Sequence, residues 1–169
     1  MPQAEQGVTK DRYMLIPRTL IFIRRGDSFL LIKGAANKRL WANKYNGIGG
    51  HIERGEDIQS AAERELLEET GLTAAISLRG VYTVDVDDHI GIGIFVFYGE
   101  NFRGELKPSR EGSLEWLKIC ELDSYPLVED VQIIIDRIVK VDANDPPFFA
   151  YSTYGKENKL KVVFKDKSS

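Results

Sequence analysis

The segment Gly50-His51-Ile52-Glu53-Arg54-Gly55-Glu56 is followed, after a gap of seven residues, by Arg64-Glu65-Leu66-Leu67-Glu68-Glu69-Thr70-Gly71-Leu72. Glycines, an arginine and spaced glutamates concentrated in so short a stretch suit a cation site that faces a phosphate. From Asp57 to Thr70 there is no Pro or Gly, Ala, Leu and Glu dominate, and Gly71 follows, so a helix with a glycine stop is predicted. Asp57 or Glu56 starts it, where a carboxylate suits the helix dipole. With successive residues about 100° apart, Ile58, Ala61 and Ala62 share a side, Leu66 lies at its edge, Glu65 and Glu69 fall in its middle, and Glu68 lies close beside them. The stripe that should press on a core therefore carries acids, and a buried acid neutralises or finds a cation.

Arg64 reaches Glu68 at i,i+4, but an exposed pair of that kind contributes only about 0.3 to 0.5 kcal/mol and cannot neutralise all the acids. Glu65 repels Glu68 and Glu69 unless a positive charge sits between them, and all-oxygen donors select a hard ion, Mg²⁺ first and Mn²⁺ as its substitute. A glutamate-rich helix is more often a solvated acidic face. Asn46-Gly47-Ile48-Gly49-Gly50 reverses that reading, because a glycine cluster ahead of the helix lets backbone groups approach a ligand closely.

On these residues the chain resembles a Nudix hydrolase. That family's signature is Gly, five residues, Glu, seven residues, Arg-Glu-aliphatic, any, Glu-Glu, any, Gly-aliphatic. Gly50, Glu56, Arg64, Glu65, Leu66, Glu68, Glu69, Gly71 and Leu72 fill every specified position. The resemblance implies an α+β fold, an α/β/α sandwich around a central mixed sheet, and Mg²⁺-dependent attack of water on a pyrophosphate. It implies metal ligation by Glu65, Glu68 and Glu69, joined by the Gly50 carbonyl, with Arg64 and Glu56 pairing to hold loop and helix. Asn46, the Glu129-Asp130 pair and Phe148-Phe149-Ala150-Tyr151 are similar to the branch that hydrolyses oxidised purine nucleoside triphosphates, in which the matching Asn and late acid read the base edge. Homodimers are common in the family, and nothing in the sequence identifies an interface.

Hydrolysis also needs a base. The candidates are a helix carboxylate such as Glu68 and the loop residue Glu111, with Glu115 as fallback; Glu111 is equally readable as a plain exposed glutamate. The basic residues Arg24, Arg25, Lys33, Lys38, Arg39 and Lys44 precede the glycine loop, and Lys33 and Arg39 are favoured as phosphate contacts. For the base pocket the candidates are Asn46, Tyr45, Trp41, Tyr82, Phe97 and Asp130; Tyr82 and Phe97 sit in strands, where core is the more common fate of aromatics. His51 stands either against loop backbone or against phosphate.

The elements that must position these groups follow from pattern. Thr19 to Ile23 and Phe29 to Lys33 form a hairpin turning at Arg24-Arg25-Gly26-Asp27, and a polar loop carrying Trp41 follows. After the helix, strands span Ile76 to Val86, Gly91 to Tyr98 and Ser113 to Cys120, with Cys120 read as a packing residue. Val128 to Val141 is an amphipathic helix. Phe148 to Tyr154 and Leu160 to Phe164 form a last hairpin turning at Gly155-Lys156-Glu157-Asn158. A single domain over 12–165 with flexible ends at 1–11 and 166–169 is expected, and 43% hydrophobic content supplies its core.

A net charge of −3 argues against duplex nucleic acid as a partner and leaves a small nucleotide substrate. No apolar run suggests a membrane span, a cytoplasmic location is expected, and two histidines with one cysteine do not suggest zinc. The reading is hydrolysis of a nucleoside triphosphate to monophosphate and pyrophosphate. ADP-ribose, a nucleotide sugar or a dinucleoside polyphosphate is the alternative substrate, and a non-catalytic nucleotide sensor is the alternative class.

Overall fold

The computed structural model describes residues 2, 5–9, 11–155, 157 and 159–165. Of the segments read as flexible ends, residues 1, 3, 4, 10 and 166–169 lie outside this set, as do 156 and 158 in the expected last turn.

Strand β1 (Met14–Arg25) and β2 (Ser28–Gly34) form the predicted hairpin, with Arg25 opposite Ser28 and Gly26 at φ 61° in the turn. The other strands are β3 (Tyr45–Asn46), β4 (Ile76–Asp85), β5 (Ile90–Gly99), β6 (Gly112–Lys118), β7 (Phe148–Tyr154) and β8 (Leu160–Phe164). They form one mixed sheet ordered β3-β2-β1-β5-β4-β7-β8, and β6 pairs with β2. The β1/β5 and β4/β7 pairs are parallel. β1 begins earlier than Thr19, because its parallel ladder with β5 runs from Met14 through Pro17 to Ile23.

Five consecutive residues, Thr19 to Ile23, are buried, which marks a strand covered on both faces. Leu20, Phe22, Phe29 and Leu31 pack beneath helix α2 (Val131–Ile138), while Ile21, Ile23, Leu30 and Ile32 pack beneath α1 (Ile58–Thr70). Two helices on opposite faces of a mixed sheet give the α/β/α arrangement of an α+β fold.

Three details redirect side chains that matter later. β1 and β2 stay paired only from Ile23 to Arg25; beyond that they diverge, and loop 47–51 enters beside β1. There Ile21 and Ile48 exchange backbone bonds of 2.6 and 3.1 Å, and the Thr19 N–H donates to the Gly50 carbonyl at 2.9 Å. In β4, Arg79 is an extra residue opposite β5. Ile76 and Leu78 before this bulge pack on the α1 side, whereas Tyr82 and Val84 after it, at the same parity, pack on the α2 side.

The third detail is where α2 begins, and with it three expected boundaries are corrected. α2 starts at Val131 rather than Val128, because the Val128 N–H is donated to the Tyr45 carbonyl and Leu127 bridges Tyr45. Its end is earlier too, at Ile138, where Lys140 and Val141 close tighter turns onto Arg137 and Ile138. β6 ends at Lys118, since the Ile119 N–H turns to the Asp27 carbonyl and a 3-10 turn over Ile119–Ser124 buries Leu122 instead. Cys120, read as a packing residue inside that strand, is exposed on the turn.

Candidate active site

Both caps of α1 form as the sequence indicates. Asp57 accepts the Gln59 and Ser60 N–H groups at 2.9 Å each, and Gly71 closes the end at φ 79°. Between them Ala61, Ala62, Leu66 and Thr70 face the core, and Thr70 locks the last turn by donating to the Leu66 carbonyl at 2.6 Å. Glu65 and Glu69 lie half-buried on the flank of that stripe, and Glu68 lies farther out, exposed.

Loop 47–51 closes on this flank because its glycines have no Cβ. At Gly49, φ is 145° and a Cβ would stand 2.2 Å from the Thr19 carbonyl oxygen; at Gly50 a Cβ would stand 2.6 Å from a Glu65 carboxylate oxygen. The Gly49 N–H is thereby free to donate to Glu69 at 3.2 Å. Arg64 ties the assembly from behind. Its guanidinium grips Glu56 through Nε (2.6 Å) and Nη2 (3.0 Å), reaches Glu65 at 2.8 Å and Glu68 at 3.2 Å through Nη1, and donates to the His51 carbonyl. Glu56 in turn accepts the Glu53 N–H at 3.0 Å, and its bond to Arg64 holds its carboxyl below the usual range. That fork-to-fork geometry fits a structural role for Arg64 and Glu56.

A cleft of about 710 Å³ runs from this loop across the parted sheet. At one end are Gly49, Gly50, Glu65 and Glu69, with Glu111 from the loop before β6. Glu111 is ion-paired with Lys38, and Lys38 also attracts Glu69. Arg18 donates to His51 at 3.2 Å along the same rim, and Arg39 and Lys44 complete the cationic lining. At the other end Tyr82, Val84, Ile92, Ile94, Val128 and Tyr154 surround Asp130. Asp130 accepts the Tyr82 hydroxyl at 2.6 Å, and burial pushes its carboxyl up.

Of the residues the sequence singles out, the cleft gathers Asn46, Gly50, Glu65, Glu69, Glu111, Arg39, Trp41, Tyr82 and Asp130. Asn46 also makes the turn read for it, accepting the Gly47 N–H at 2.8 Å. Glu68 stays at the outer edge beside Arg64. Two proposed substrate contacts lie outside the cleft lining. Tyr45 is buried in the α2-side core with its hydroxyl on Glu115 at 2.8 Å, and Lys33 lies over the Tyr45 ring, both outside the cleft lining. Strand alternation at β3 explains this: Asn46 and Tyr45 are neighbours and point to opposite sides. The same Tyr45 bond engages Glu115, which does not line the cleft, and Phe97 is core on the α1 side. Arg18 was missed. Its signal was a lone cation within the apolar run Leu15 to Ile23, in phase with Leu20 and Phe22.

Among the described residues, no group of three or more His, Cys, Asp or Glu is drawn together as a ready metal cage. Glu65 and Glu68 lean to Arg64, and Glu69 leans to Gly49. The residues nonetheless fit a hard divalent cation. The donors are all oxygen, and the Glu69 carboxyl is pushed up to about 7, first by burial and then by Glu65 and Glu68, a strain that a cation would relieve.

A carboxylate-bearing helix behind a glycine loop, opposed across a cleft by cations, defines a hydrolase. The chain belongs to the Nudix family: the NUDIX domain model matches residues 14–140. It is 34% identical over 108 residues to the oxidized purine nucleoside triphosphate hydrolase of Danio rerio, spanning 62% of this chain and 67% of that one. The Mus musculus enzyme of the same name is 29% identical over 118 residues, spanning 66% and 69%. The MutT protein of Bacillus halodurans shares the fold, with a TM-score of 0.75 at 24% identity over 91% of this chain and 100% of that one.

Proposed function

We propose that the protein hydrolyses a nucleoside triphosphate, with an oxidised purine base as the favoured case, to monophosphate and pyrophosphate, using Mg²⁺ or, in its place, Mn²⁺. The observation that carries this reading is the polarity of the cleft. Acids, cations and a close backbone approach crowd one end, and an acid with an aromatic and aliphatic surround occupies the other. A triphosphate joined to a flat, hydrogen-bonding base has the same polarity. The names of the vertebrate relatives support the same substrate class.

In this reading Glu65, Glu68, Glu69 and the Gly50 carbonyl would hold the cation, which would supply positive charge to the phosphate oxygens when bound. Arg18, Lys38 and Arg39 receive the phosphate chain. Glu111 faces α1 across a side pocket of about 80 Å³ that Glu69 and Lys38 also line, and it takes the proton of the attacking water. The Gly50 carbonyl already accepts the Thr19 N–H, so that bond fixes the direction in which its second lone pair points. Asn46 and Asp130 face the base edge. A cytoplasmic setting suits the exposed thiol of Cys120, which a reducing compartment keeps free. Among the described residues, no helix is long and apolar enough to cross a membrane.

The test is turnover of 8-oxo-dGTP, dGTP, dATP, ADP-ribose and a dinucleoside polyphosphate with Mg²⁺, with both products identified. The reading expects 8-oxo-dGTP to yield monophosphate and pyrophosphate with the highest kcat/KM. Preferential cleavage of ADP-ribose, or turnover that survives chelation of divalent ions, would overturn it.

A further inference from the structure

Asp130 stands at the N-cap position of α2, yet its side chain makes no capping bond. An N-cap aspartate ordinarily turns its carboxylate onto the first helical N–H groups. Here the Tyr82 hydroxyl takes it at 2.6 Å. Tyr82 is 1% exposed and Asp130 9% exposed, so the bond forms where water competes little. Both side chains also line the cleft. The pairing depends on the β4 bulge: were Arg79 paired in a regular ladder instead of bulged out, Tyr82 would share the face of Leu78 on the α1 side and could not meet α2.

We propose that Tyr82 is a positioning residue for substrate recognition, holding Asp130 by one oxygen so that the other faces the cleft as an acceptor for N–H groups of a purine edge. The inference rests on the nucleotide reading above and extends it to a specificity determinant outside the Nudix signature. The surrounding charges favour this orientation. Glu129, the neighbouring acid, is tied to the Leu160 N–H at 2.9 Å, and Tyr154 from β7 is the remaining titratable neighbour of the pair. Among the described residues, no Lys or Arg pairs with Asp130. Tyr82 is its side-chain donor among the described residues, and burial pushes the Tyr82 hydroxyl well above its ordinary value, so it remains a donor throughout the neutral range. The Tyr82 bond opposes the burial that raises Asp130. Without it the carboxyl protonates at a higher pH and becomes a donor itself. A guanine-type edge, with adjacent ring and amino N–H groups, matches the ionised acceptor.

Tyr82→Phe removes only the hydroxyl, and Asp130→Asn changes the acceptor with little change in volume. Calorimetric titration with dGMP should show affinity about tenfold lower in Y82F, the scale of a lost hydrogen bond to a charged group. In the Asp130→Asn background, Y82F should have no further effect. With dGTP and Mg²⁺, KM should rise about tenfold in Y82F while kcat stays within about twofold. As pH is lowered, the rise in KM should begin at a higher pH than in the wild type. Unchanged dGMP affinity in a folded Y82F protein, absence of dGMP binding to the wild type, or additive effects of the two substitutions would overturn the inference. If the wild type binds dGMP but hydrolyses no triphosphate, the proposed function falls and the Tyr82–Asp130 assignment is judged by the binding cycle.

Discussion

Glu69 occupies a position where burial and two neighbouring carboxylates act together, and its carboxyl is pushed up to about 7 in the metal-free protein. Its ordinary value, that of the unfolded chain, is about 4.5. The folded state therefore holds a proton that the unfolded state has released between those values, so the stability tied to protonated Glu69 is full below about 4.5 and lost as pH rises through about 7. Metal-free protein should weaken over that window by on the order of 3 kcal/mol. Glu69→Gln mimics the protonated form and should remove the dependence, leaving the variant close to wild type at pH 5 and more stable at pH 8. Denaturant melts in a chelator, run at both pH values, measure this; parallel curves for the two proteins would refute it. The same substitution, and Glu68→Gln, should lower turnover about a hundredfold or more, because each removes charge from the proposed cation site with little loss of volume. Steady-state kinetics with Mg²⁺ measure that, and wild-type turnover in both variants would remove α1 from the mechanism.

Loop 47–51 separates two consequences of a missing Cβ. A methyl at Gly49 would meet the Thr19 backbone at 2.2 Å, in a conformation with φ 145°. A methyl at Gly50 would meet the end of the Glu65 side chain, which can move. Gly49→Ala should therefore destabilise by about 3 kcal/mol or more, through strain and a displaced β1. Gly50→Ala should melt within about 1 kcal/mol of wild type but lose most activity, as Glu65 is pushed away. Thermal melts and rates together distinguish the two; equal loss of stability in both would sink the argument. These neighbours also show which parts of the fold were legible in the sequence. The α1 caps at Asp57 and Gly71 and the hairpin at Gly26 depend on residues a few positions apart, and their patterns reveal them. The bulge at Arg79, the parting of β1 from β2, and the late start of α2 depend on partners far along the chain. For that reason Tyr82 was ambiguous between cleft and core, the position of Tyr45 and Lys33 outside the cleft lining was not visible, and Arg18 was overlooked. The signature acids Glu65, Glu68 and Glu69 were legible because one helix carries all three, whereas Glu111 and Lys38 meet only through tertiary packing.

The cleft exists because the sheet opens between β1 and β2, so its two walls belong to different parts of the chain, and ligands should bind and brace them differently. Mg²⁺ should tie α1 to loop 47–51, and a nucleoside monophosphate should tie β4 to the start of α2. A ligand that binds only the folded state adds about 2.7 kcal/mol at one hundred times its Kd. For a chain of this size each kcal/mol raises Tm by roughly 2–4 °C, so a saturating ligand should raise it by about 5–10 °C. Since the carboxylates on α1 and the Tyr82–Asp130 pair share no contact, the Mg²⁺ and dGMP increments should be nearly independent. Glu69→Gln should lose the Mg²⁺ increment and keep most of that from dGMP, while Asp130→Asn should show the reverse. Scanning calorimetry of the three proteins with each ligand and with both measures this directly. If either substitution removed both increments, the two ends of the cleft would form one coupled site, and the division between phosphate and base compartments would fail.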